Sequence, residues 1–187
     1  MTHQRTARQT RGFTLTEAAI VLGIVGLILG AIWVAAASVY ANLRVKQTTE
    51  QILQIAQAVR ALHATSTTIT AITALDVARA GGIPKDMLDN ATNPTTVTNV
   101  WGGAVTITAP TPTTFTINYA GVPQQPCADL AVRSTGAGRD AGLTNVLLNT
   151  TNIAAAAFPI SVSAAVTGCS VTLAAGQPIA FTFRLRA

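Results

Sequence analysis

The chain has 187 residues, enough for one ordinary domain and an appendage. Apolar residues make up 49% of it and charged residues 10%, a balance foreign to a purely soluble chain. The net charge of +5 makes no nucleic-acid face, because Arg5, Arg8 and Arg11 all precede the first apolar run and no basic and aromatic residues interleave in a patch; no direct nucleic-acid partner is expected.

Met1 to Gly12 is short, polar and basic, and reads as a processed leader rather than part of a fold. Phe13 to Ala64 contains no proline and is predicted as one long helix. Its first part, Ala18 to Leu43, carries no charged residue. At 1.5 Å per residue those positions extend roughly 39 Å, enough to cross a hydrocarbon core of about 30 Å. Arginines just before a membrane helix keep that end in the cytoplasm, so the bulk of the chain is expected on the far side.

Glu17 stands at the start of this apolar run, where a carboxylate at bilayer depth costs about 2.5–3.5 kcal/mol. Either it stays wet at the cytoplasmic interface, or it awaits a cation that neutralises it in a dry setting. The next basic side chain along the helix is Arg44, too distant to serve. An α-amine exposed at Phe13 by cleavage behind Gly12 would serve, above all on a neighbouring subunit. Gly23, Gly26 and Gly30 either let helices approach closely or are glycines that a membrane helix merely tolerates.

Residues 44–64 change character. Ile52, Ile55, Val59 and Leu62 recur at steps of three and four, and Arg44, Lys46, Glu50 and Arg60 can take the wetter face. The β-branched run Thr65–Thr73 ends the helix. "LDVARAGGIPKDML" predicts a short helix, a stop at Gly81-Gly82 and a turn after Pro84. "AVTIT" and "TFTINY" alternate around a turn-rich "APTPT", a hairpin signal, with Trp101–Gly103 as a turn before it. "CADLAVRS" and "DAGLTNVLLN" read as short helices; "FPISVSAAV", "CSVTL" and "IAFTFRL" read as closing strands. The fold class expected is α+β: a long N-terminal membrane-spanning helix whose exposed half packs on a C-terminal antiparallel sheet.

In an exported, oxidising setting Cys127 and Cys169 would form a disulfide, closing a loop of about 43 residues worth on the order of 3–4 kcal/mol; the other option is two buried free thiols. His63 has no catalytic partner in view, and Asp76, Asp86, Asp89, Asp129 and Asp140 are too dispersed for a metal site. Nothing pairs a nucleophile with a base. No enzyme activity, metal or cofactor is expected.

"RGFTLTEAAIVLGIVGLILGAIW" resembles the prepilin signature of type IV pilins: a basic leader, Gly, an apolar residue, Thr-Leu-x-Glu and a long apolar helix. The resemblance implies that a prepilin peptidase cuts after Gly12 and N-methylates Phe13, and that Glu17 pairs with a neighbour's N-terminus during assembly. "GGIPKDML", "NVWGGAVTIT" and the cysteine pair resemble the type IVb branch, including pilins of conjugative thin pili; in such proteins the cysteines bracket an exposed region, here Cys127–Cys169. The short leader and the Phe at the first mature position depart from that branch, while the lack of a helix proline departs from many type IVa pilins.

The layout that follows is a leader at 1–12, a helix at 13–64 (13–43 in the membrane or filament core, 44–64 amphipathic) and a head at 65–187. The resemblance implies a subunit of a homo-oligomeric helical filament for adhesion or conjugative mating contact. Before assembly the subunit would be held in inner-membrane lipid with its head in the periplasm, and it would be handed to an assembly platform there. A minor pilin or a type II secretion pseudopilin carries the same signature. A secreted domain behind an ordinary signal peptide would instead be cut after Ala35-Ala36-Ala37.

Overall fold

The computed structural model describes residues 14–170 and 176–186. Contacts divide the chain into two units, Met1–Tyr40 and Ala41–Ala187. Helix α1 runs from Leu15 to Leu62. In the first unit every described residue is exposed, so none of the described residues covers that stretch of apolar helix.

The second unit holds the rest of α1, then α2 (Ala74–Arg79), a 3-10 turn at Lys85–Met87, β1 (Val105–Thr111), β2 (Thr114–Val122), α3 (Gln124–Thr135), β3 (Leu143–Leu148), β4 (Thr151–Ala154), α4 (Val162–Gly168) and β5 (Gln177–Arg184). The five strands form one sheet in the order β1-β2-β5-β3-β4, with every neighbouring pair antiparallel. The last strand therefore lies at the centre of the sheet, clasped by β2 and β3.

Alternation sets which face is buried. Phe115, Ile117 and Tyr119 of β2 lie opposite Phe183, Phe181 and Ile179 of β5, and all six are buried. The Phe115 and Phe183 rings stack with centroids 5.6 Å apart; such pairs add to the stabilisation from area burial alone. Ile52, Ile55, Ala56 and Val59 of α1 join the same core. The expected packing of the second half of the helix on the sheet is thus found, with one correction. Leu62, assigned to the apolar stripe, is 48% exposed because the helix ends there.

Three elements differ from the sequence expectation. "DAGLTNVLLN" is strand β3, not a helix. An irregularity between Leu143 and Asn145 in its pairing with β5 brings both Leu143 and Val146 inward, and this spacing of three imitates a helical period. "FPISVSAAV" is a cis-proline turn followed by α4. Ser161 caps α4 by accepting a hydrogen bond from the Ala164 amide at 3.2 Å, and Ala165 and Gly168 are the buried residues of that helix. The edge strand β4 carries too weak an alternation to have been expected. Of "CSVTL", Cys169 and Ser170 follow α4, and the remainder lies outside the described residues.

The short helix, the glycine stop, the turn after Pro84 and the β1–β2 hairpin form as the sequence predicts. Thr73 caps α2 in a capping box with Asp76. In the turn at Trp101–Gly103, Gly102 takes a left-handed φ of 82°, whereas a Cβ on Gly103 would meet the Ala120 carbonyl oxygen at 1.8 Å. Of the two glycines, then, one answers a backbone angle and the other a close approach.

Candidate functional site

Glu17 lies in the first turn of α1 and is exposed. The Thr14 hydroxyl accepts the Glu17 amide at 3.3 Å, capping the helix start. A carboxylate in the first turn also complements the positive end of the helix dipole. From Leu15 to Leu43 every large apolar side chain is at least 44% exposed, with Leu15 at 87% and Trp33 at 80%. Among the described residues, a Cβ added at Gly23, Gly26 or Gly30 would meet nothing within 4 Å, so packing against those residues does not account for these glycines. The helix is long and apolar enough to cross a membrane. Gly12 and Phe13 lie outside the described residues.

Cys127, in the first turns of α3, is bonded to Cys169 at the end of α4. Both sulfurs are buried in the core, and the pair holds α3 and α4 side by side. A second tie reinforces it. The buried Thr135 hydroxyl donates to the Ala131 carbonyl at 2.7 Å and accepts the Ile160 amide at 3.1 Å, fixing the end of α3 to the turn before α4.

The sequence placed Arg60 on the wet face of α1, but the structure turns it inward. Its guanidinium makes a two-pronged pair with Asp140, with both N–O distances 2.7 Å. It also donates to the Arg184 carbonyl at 3.2 Å and lies 5.8 Å from the centroid of the Phe183 ring. Asp140 in turn accepts the Gly142 amide at 2.7 Å. The Arg60 hydrogen bond, with smaller help from the Gly142 amide, holds the Asp140 carboxyl below its ordinary range against the opposing effect of burial. A Cβ on Gly142 would fall 2.2 Å from a guanidinium nitrogen of Arg60. The signal available was Arg60 sitting one residue after Val59 on the buried stripe; which acid it meets was not readable.

A matching tie lies one stretch earlier on α1. Gln47 and Gln51 both donate to the Asp86 carboxylate, at 2.7 and 3.0 Å, anchoring the 3-10 turn to the helix. Asp86 is thus a link between two elements. Asp89 caps its own loop, accepting the Thr95 and Thr96 amides and the Thr95 hydroxyl.

A family model described as Bundlin matches residues 36–186. No curated protein matches the chain. Among solved structures, the crystal structure of type IVb pilin from Salmonella typhi is similar, with a TM-score of 0.53 at 19% identity, covering 72% of this chain and 94% of that one. At that identity the likeness speaks for the fold alone.

Proposed function

The chain belongs to the Bundlin family of type IVb pilins, and from that premise we propose that it is the repeating subunit of a surface filament, made as a membrane-held precursor. In this reading prepilin peptidase cuts behind Gly12, and Phe13 becomes a methylated N-terminus. Residues 13–43 then sit in inner-membrane lipid with the head, 65–187, in the periplasm, until an assembly platform moves the subunit into the extracellular fibre. The amphipathic stretch 44–64 ties the helix to the head, and Cys127–Cys169 bounds a region at the outer surface. The subunit acts structurally, not by catalysis, in adhesion or mating contact.

The observation that carries the proposal is the uncovered apolar surface of α1 with Glu17 in its first turn. Lipid can cover that surface in storage, and neighbouring helices can cover it in a filament. Close approach of helices would favour small residues such as Gly23, Gly26 and Gly30. Glu17 has no basic side chain ahead of it on α1 until Arg44, about 40 Å along the axis. A neighbour's amine at Phe13 would neutralise the carboxylate and fix the axial register between subunits. Contact of one surface with a different one extends without closing.

The test is the composition of fibres sheared from the host surface. A major subunit is the dominant protein of those fibres. If the chain stays in the membrane fraction while fibres form from another protein, the repeating-subunit role is wrong and a minor pilin or pseudopilin role replaces it.

A further inference from the structure

We propose that the threonine-rich cap formed by residues 65–70 and 109–114 is a site of O-linked glycosylation; this rests on the exported head proposed above. Two segments distant in sequence build the cap, "TSTTIT" after α1 and "APTPTT" around the β1–β2 turn. The Ile69 amide donates to the Pro112 carbonyl at 2.7 Å, and the Leu185 amide donates to the Thr113 carbonyl at 2.9 Å, so the backbone of the cap is tied down. Ile69 itself is buried, while Ser66, Thr67, Thr68 and Thr113 are all exposed. Among the described residues, nothing hydrogen-bonds the hydroxyls of those four. Thr111 differs, because its hydroxyl shares a hydrogen bond of 2.6 Å with that of Thr114.

Composition and chemistry identify the attached group. Neither segment contains a charged residue, and charged residues make up 10% of the whole chain, against about 25% in ordinary globular domains. A surface so poor in charge leaves an extracellular head short of hydration, which a bulky, neutral sugar supplies. Serine and threonine mixed with proline are also the composition that accepts sugars on oxygen. Pro110 and Pro112 fix their own φ and remove two backbone donors, which places Thr113 in a short, stiff turn. Beyond the cytoplasm no nucleoside triphosphate is at hand for phosphoryl transfer, so the donor is a sugar carried on a membrane-lipid diphosphate. The threonine oxygen attacks the anomeric carbon of that sugar. The bond from this carbon to the diphosphate oxygen breaks, and the diphosphate leaves with the electron pair. The hydroxyl proton passes to a base of the transferase, and nothing is oxidised or reduced.

Peptide mass spectrometry of the full-length protein from its native host tests this. Trypsin releases the cap in two fragments, 61–79 and 86–133. Each is expected to carry an added mass of whole sugar residues. Thr113→Val is expected to remove the sugar from 86–133 completely, whereas Thr111→Val leaves it in place. Ser66→Ala with Thr67→Ala and Thr68→Ala is expected to strip 61–79 alone. Sugar on Asn90, which lies in the same fragment as Thr113, or sugar that survives Thr113→Val, would overturn the assignment. Bare fragments from a chain that begins at Phe13 would overturn it too and leave the exported subunit standing. A chain that begins at Ser38 and carries the sugar would support this inference and remove the filament role.

Discussion

Arg60 and Asp140 stand 80 residues apart in sequence and meet in a two-pronged ion pair with both N–O distances 2.7 Å. Their side chains are only 19% and 11% exposed, so the pair is more than a surface contact of the weak kind. It joins the helix that would build a filament core to the region bounded by Cys127 and Cys169. It also holds the end of β5 through the Arg184 carbonyl.

Replacing Asp140 by alanine leaves the Arg60 guanidinium largely buried without its acceptor. The expected loss is about 1–3 kcal/mol, typical of an unmatched charged donor. Chemical denaturation of the oxidised protein measures it. A change within error would show that water replaces the carboxylate at no cost.

The same pair predicts a pH dependence. The Asp140 carboxyl is depressed in the folded protein, chiefly by the Arg60 hydrogen bond. A depressed acid stabilises the fold fully above its unfolded value, near 3.9, and loses that contribution as pH falls through the lower folded value. Thermal midpoints should therefore drop between about pH 5 and pH 2, and the drop should be smaller in Asp140→Asn. Asp76 and Asp89 are depressed too, by hydrogen bonds from Thr73 and Thr95. Parallel curves for the two proteins would therefore assign the effect to those acids.

Removing the disulfide by Cys127→Ser with Cys169→Ser is expected to cost about 2–5 kcal/mol. The bond staples α3 to α4, while the β2–β5–β3 sheet has its own buried aromatic ladder. Proteolysis of the double variant should accordingly begin within 124–170 and spare the sheet. Cleavage starting in β2 or β5 would mean that the staple supports the whole core.

Glu17→Ala should leave membrane insertion and the head's stability unchanged, since the side chain is exposed in the first turn of α1. Loss of surface fibres with a normal amount of processed subunit is the expected outcome. Fibres formed at the normal level would remove Glu17 from the assembly step.

The apolar half of α1 was legible because its signal is local: a long run without charge or proline. The β1–β2 hairpin and β5 were legible for a similar reason, since alternation survives wherever pairing is regular. β3 was misread because its irregular pairing beside Leu143 converted a period of two into an apparent period of three. α4 was misread because Ser161 and Ser163 alternate with Ile160 and Val162 as a strand would. The links Arg60–Asp140 and Asp86 with Gln47 and Gln51 were beyond reach, because hydrogen bonds across 80, 39 and 35 positions leave no local pattern.

In a processed subunit α1 persists, with Glu17, as the N-terminal helix. The most direct test is the intact mass and N-terminal peptide of the protein isolated from its native host. A chain beginning at methylated Phe13 is predicted. A chain beginning at Ser38 would have lost Glu17 and most of the apolar half of α1 together, leaving neither a membrane-held precursor nor a helix to build a filament core.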